Sequence, residues 1–135
     1  MSFVLDTSVT MAWLFEDEAT QHTEALLDRL KTDDALVPPL WTYEVGNVLV
    51  MAERRKRITE AQGRHFTDLL QLLPIHVADS HVTYLWGGAV IAARTYKLSV
   101  YDGAYLDLAM REGIPLATLD KALKMAASQS GVDIL

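Results

Sequence analysis

Short apolar runs alternate along the chain with longer stretches in which apolar residues recur every three or four positions. Phe3-Val4-Leu5 is continuous and β-forming, as expected of a strand covered on both faces of a parallel sheet. Val9 to Glu16 follows as a short helix. Ala19 to Lys31 reads as a second, with Ala19, Thr23, Leu26, Leu27 and Leu30 on one face. Ala35-Leu36-Val37 is a second strand, stopped by Pro38 and Pro39. A third helix starts near Leu40, carries Trp41, Val45, Val48, Leu49 and Ala52, and ends in the charged run Glu53 to Arg57. Ile58-Thr59-Glu60 starts another that runs to Pro74, and Ile75-His76-Val77 is a brief strand. Asp79 and Ser80 are placed to cap a long helix reaching Tyr96, with Gly87 and Gly88 inside it as a sign of close packing. A further helix contains Tyr105, Leu106 and Ala109 and closes at Gly113. Ile114 to Thr118 is a strand, Lys121 to Ala127 a short helix, and Val132 to Leu135 a final edge strand. The alternation predicts an α/β protein with a mainly parallel sheet in three α/β/α layers.

The 135 residues fit a single domain with one core. Half are hydrophobic and 22% charged, no stretch approaches a membrane span, and no signal segment opens the chain, so the expected setting is cytoplasmic with no membrane partner. The absence of cysteine leaves only oxygen and imidazole to hold a metal. His22, His65, His76 and His81 share no ligand-like spacing. A net charge of −6 excludes nucleic-acid binding through general positive potential, although a cation-binding acid cluster would reverse the field locally.

Acids fall at comparable places. Asp6 ends the first strand, Asp120 follows the strand around Leu116, Asp102 opens a helix, and Glu44 is embedded among apolar residues near the start of the third helix with Asn47 on the same side. An acid beyond the carboxyl end of a strand is a site candidate, and it is equally a helix cap. Grouped carboxylates without a basic partner repel one another and persist when a cation occupies them. Oxygen-only ligands favour Mg²⁺ or Mn²⁺, and the chemistry that fits is phosphodiester hydrolysis. Asp107, about 140° round the helix from Asp102, reads as solvated or at an interface. Asp17, Glu18, Asp33 and Asp34 read as solvated. Arg54 to Arg57 read as closing a helix rather than meeting RNA phosphates, and Trp13, Trp41 and Trp86 as core or interface.

The FVLDTS opening, Glu44 in PPLWTYEVGNVL, Asp102 in YDGAYLDLA, and PLATLD ending in Asp120 together resemble the PIN-domain nucleases. In size the chain is most similar to the VapC-type toxins of bacterial toxin–antitoxin pairs. The resemblance spans nearly the whole chain. It implies an endoribonuclease that uses Mg²⁺ or Mn²⁺ to activate water, silenced by a small antitoxin and often a homodimer. By position it gives the metal to Asp6, Glu44, Asp102 and Asp120, the orienting of ligands or water to Ser8 and Thr118, and a supporting role to Asn47. A phosphatase of the haloacid-dehalogenase type also begins strand–Asp, but Ser8 stands where its second Asp would be. The rival of another class is a non-catalytic PIN-like module whose acids hold a structural ion or a partner.

Overall fold

Phe3, Val4 and Leu5 are wholly inaccessible to solvent, as a continuous apolar run requires when helices cover both faces of its sheet. The computed structural model describes all 135 residues and pairs four strands in parallel, in the order β3-β2-β1-β4. These are β1 (Ser2–Leu5), β2 (Asp34–Val37), β3 (Ile75–Val77) and β4 (Leu116–Ala117). Their register sets Val4 against both Leu36 and Leu116. The flanking helices are α1 (Thr7–Ala12), α2 (Gln21–Arg29), α3 (Leu40–Arg54), α4 (Glu60–Leu72), α5 (Val82–Tyr84), α6 (Val90–Tyr96), α7 (Val100–Glu112) and α8 (Lys121–Ser130). The fold is the three-layer α/β/α arrangement read from the sequence.

Strand order positions the site. β1, β2 and β3 build outward in one direction, whereas β4 adds to the other side of β1. The order therefore reverses between β1 and β4, where open α/β sheets form a ligand crevice beyond the carboxyl ends of their strands.

Several boundaries differ from the sequence reading. α1 begins at Thr7 and stops at Ala12, and Glu16–Glu18 form a separate 3₁₀ turn. α2 and α4 start behind Thr20 and Thr59, each in a capping box closed by Thr23 and Gln62 respectively. The long helix is capped by His81, not by Asp79 or Ser80; its ring nitrogen accepts from the Thr83 amide. Its middle, Leu85–Ala89, is a π turn between α5 and α6. The expected strand at Val132 to Leu135 contracts to one parallel bridge between Leu116 and Ile134. Gly113 ends α7 at φ 65°, a left-handed cap that glycine adopts without penalty.

Among the side chains, Trp41 is buried and donates to Thr10 Oγ1, and Trp13 donates to the Thr23 carbonyl. Trp86 instead is 69% exposed, so its apolar face belongs to no core within this chain. Asp17 and Glu18 are exposed, as expected, and also pair with Arg57, whose guanidinium covers the Phe15 ring. Asp107 departs furthest from expectation. It is buried, paired with Arg111 at 2.8 Å, and pressed against Gly88, where a Cβ would lie 2.5 Å from a carboxylate oxygen.

Gly103, beside Asp102, is similarly constrained: a Cβ there would run into the Ala89 carbonyl and the Ala93 amide. Gly46, by contrast, faces open space in α3. Gly103→Ala is expected to lower unfolding free energy by about 1–3 kcal/mol through overpacking. Gly46→Ala should raise it by up to about 1 kcal/mol through helix propensity. Urea denaturation of the two variants checks the contrast.

Candidate functional site

Asp6 occupies the N-cap position of α1 but does not cap it; no side-chain cap bond forms there. Its Oδ2 instead accepts from Ser8 Oγ at 2.6 Å and from Thr118 Oγ1 at 2.7 Å. Ser8 Oγ in turn accepts the Leu119 amide, and Thr118 Oγ1 the Asp120 amide. The turn after β4 is thereby tied to the turn after β1, across the crevice where strand order reverses. Ser8 and Thr118 thus orient a carboxylate that is only 6% exposed.

Glu44 is half-buried in the second turn of α3. Its Oε1 accepts from the Tyr105 hydroxyl at 2.5 Å and from Thr7 Oγ1 at 3.1 Å, and the two hydroxyls lie 2.8 Å apart. A hydroxyl has one proton, so the Thr7 proton is shared between the carboxylate and the tyrosine oxygen. Neither Thr7 nor Tyr105 was singled out from the sequence. The available signal was a phenol on the buried face of α7, three residues after an acid, since a buried tyrosine oxygen needs a partner.

Asp102 lies in the first turn of α7, behind the Ser99 cap. Its carboxyl is pushed up to about 6, first by burial and then by the charges of Asp120, Asp6 and Glu44, with a Ser99 hydrogen bond opposing. Glu44 is also raised, chiefly by burial; its bonds from Tyr105 and Thr7 pull the other way, and Asp6 adds to the rise. Asp102 thus lies within range of the charges of the other three acids, with Asp120 on the exposed side. Asp120 keeps its ordinary structural duty as well, capping α8 through the Leu123 amide at 2.8 Å. Asn47 is exposed one turn along α3 and bonds to none of the acids.

None of the four acids takes part in an ion pair. No three His, Cys, Asp or Glu side chains stand close enough to grip an ion between them as they are. The site is therefore not a closed cage. An open set of carboxylate oxygens suits Mg²⁺, which keeps several waters and commonly takes only one or two carboxylates directly. The residues fit such an ion by donor type and by their uncompensated charge.

That charge has a measurable cost in protein freed of divalent ions. Asp102 is raised on folding, so its ionised form favours the unfolded chain, and stability declines as pH climbs from about 4 through about 6. Asp102→Asn should be more stable than the native chain by about 1–2 kcal/mol at about pH 8, after allowing for solvent screening. The gain should vanish near pH 4, as thermal unfolding with chelator across that range will read.

The PIN domain family model matches residues 3–128. Among solved structures, PAE2754 from Pyrobaculum aerophilum is 24% identical, with a TM-score of 0.71 over 93% of this chain and 87% of that one. VapBC2 from Rickettsia felis, solved bound to a DNA fragment from its promoter, is 13% identical with a TM-score of 0.72, covering 100% of this chain and 98% of that one. FitAcB from Neisseria gonorrhoeae is 19% identical with a TM-score of 0.67, over 98% and 96%. No match was found among curated proteins. With the family model covering nearly its whole length, the chain belongs to the PIN-domain family.

Proposed function

We propose that the protein is a cytoplasmic endoribonuclease dependent on Mg²⁺ or Mn²⁺, and the toxin of a toxin–antitoxin pair. The observation that carries this reading is the gathering of Asp6, Glu44, Asp102 and Asp120, with no ion-pairing partner, in a family whose members are generally nucleases. These four residues would hold the ion, with Ser8 and Thr118 keeping Asp6 in place. Bound there, a divalent cation supplies positive charge for a phosphodiester and makes water a stronger nucleophile. The protein's own groups repel a phosphate at this edge, and the net charge of −6 gives no compensating long-range attraction. RNA therefore approaches productively only when the acids are neutralised. Arg57 adds little to RNA binding, being committed to Asp17 and Glu18.

An antitoxin partner is supported by the likeness to VapBC2 and FitAcB. A groove of about 350 Å³, lined by Trp41, Val45, Leu70, Ile75 and Val77, has room for the apolar face of an amphipathic segment. A second copy of the chain is supported by a different surface. Val82, Tyr84, Leu85, Trp86, Ile91 and Tyr101 are each exposed on the long helix or at the start of α7, and exposed apolar side chains in such number suit an interface.

Antitoxin-free protein is expected to cleave RNA with Mg²⁺ or Mn²⁺ and to stop on chelation. Asp6→Asn and Asp102→Asn should each lose more than the roughly 100-fold that removal of a merely supporting residue costs, while remaining folded. Intact RNA after prolonged incubation with both ions would sink the nuclease reading and leave the binding module. In sedimentation, the native chain should run as a dimer and Trp86→Ala should shift it toward monomer, since exposed aromatics are common interface anchors.

A further inference from the structure

Two of the acids are held in the same unusual way. Asp6 Oδ2 takes two hydroxyl donors, Ser8 and Thr118, and Glu44 Oε1 takes two, Tyr105 and Thr7. In each case the other carboxylate oxygen has no protein partner, and neither is a buried, unsatisfied atom, so both are open to solvent. Other carboxylates in the molecule are handled differently: Asp107 is neutralised by Arg111 and Asp33 by Arg29. A hydroxyl fixes a carboxylate without cancelling its charge. Two hydroxyls on one oxygen therefore set the orientation of the group, leave its net charge uncancelled and leave its other oxygen free.

We infer that Thr7 and Tyr105 are positioning residues for the cation site, locking Glu44 through Oε1 so that Oε2 is the oxygen offered to the ion. Their places in the chain support the role. Thr7 follows Asp6 directly, and Tyr105 lies one turn beyond Asp102 on α7. The hydroxyl triangle thus joins the elements that carry three of the four acids and fixes their mutual spacing. Tyr105 is completely buried, so its hydroxyl is held between Glu44 and Thr7 without competition from water.

This inference rests on the metal-dependent reading of the site, and Mn²⁺ binding measured by calorimetry, without RNA, separates the two. The native protein should bind Mn²⁺. Tyr105→Phe, which keeps the ring and removes the oxygen, should bind about 10–100-fold more weakly while remaining folded, and Thr7→Val should show a smaller loss. In a Glu44→Gln background, adding Tyr105→Phe should cause no further loss, because the phenol acts through that carboxylate. Native-like Mn²⁺ affinity in folded Tyr105→Phe overturns the positioning role, as does an undiminished Tyr105→Phe effect in the Glu44→Gln background. Should Tyr105→Phe fail to fold, Thr7→Val decides, native affinity there counting against the proposal. Failure of the native protein itself to bind Mn²⁺ overturns the cation reading together with this one.

Discussion

Carboxylates of like charge, brought together where water is partly excluded, push one another apart and resist ionisation. The rest of this molecule is arranged to hold four of them against that repulsion. The sheet order brings the ends of β1 and β4 side by side, which places Asp6 and Asp120 on neighbouring turns. Helix α3 supplies Glu44 from its second turn and α7 supplies Asp102 from its first. The opposing force comes from neutral donors and packing rather than from counter-charges, so the site keeps its charge while losing its freedom to splay.

Packing on the far side of α7 matters to the same end. Asp102 precedes Gly103, whose bare Cα lets α7 approach the Ala89 carbonyl at the end of the π turn. Gly88 performs the complementary service, leaving room for the Asp107 carboxylate, which Arg111 neutralises while lying over the Tyr84 ring. The two glycines make α7 and the long helix a closely fitted pair. The position of Asp102 therefore depends on residues that never touch it.

Much of this was legible in the sequence, for physical reasons that differ by residue. The strand ends were readable because an apolar run meeting an acid is a strong local pattern, and Glu44 because an acid among helical apolar positions needs an explanation. What could not be read was which strand-end acid caps its helix. Asp6 and Asp120 both occupy N-cap positions, yet only Asp120 caps, and the difference is made for Asp6 by Thr118, 112 residues away. Tyr105 was hidden because its ring satisfies the apolar periodicity of α7 and only its oxygen reveals the bond to Glu44. Of the two places expected for Trp86, core or interface, the core is ruled out, because a π turn breaks the three-and-four count on which a helical face is read. Gly88 gave a correct hint of close packing, but not that its neighbour would be a carboxylate.

The bond between Thr118 and Asp6 also orders events in time. Synthesis delivers Asp6 and Ser8 first, Glu44 after them, and Thr118 and Asp120 after all of these. Because β4 and α8 come late, the crevice has one wall missing until they emerge and dock beside β1. A nascent chain on the ribosome therefore carries scattered acids rather than an assembled centre. The strand order thus makes the four-acid cluster one of the last features of the fold to be completed.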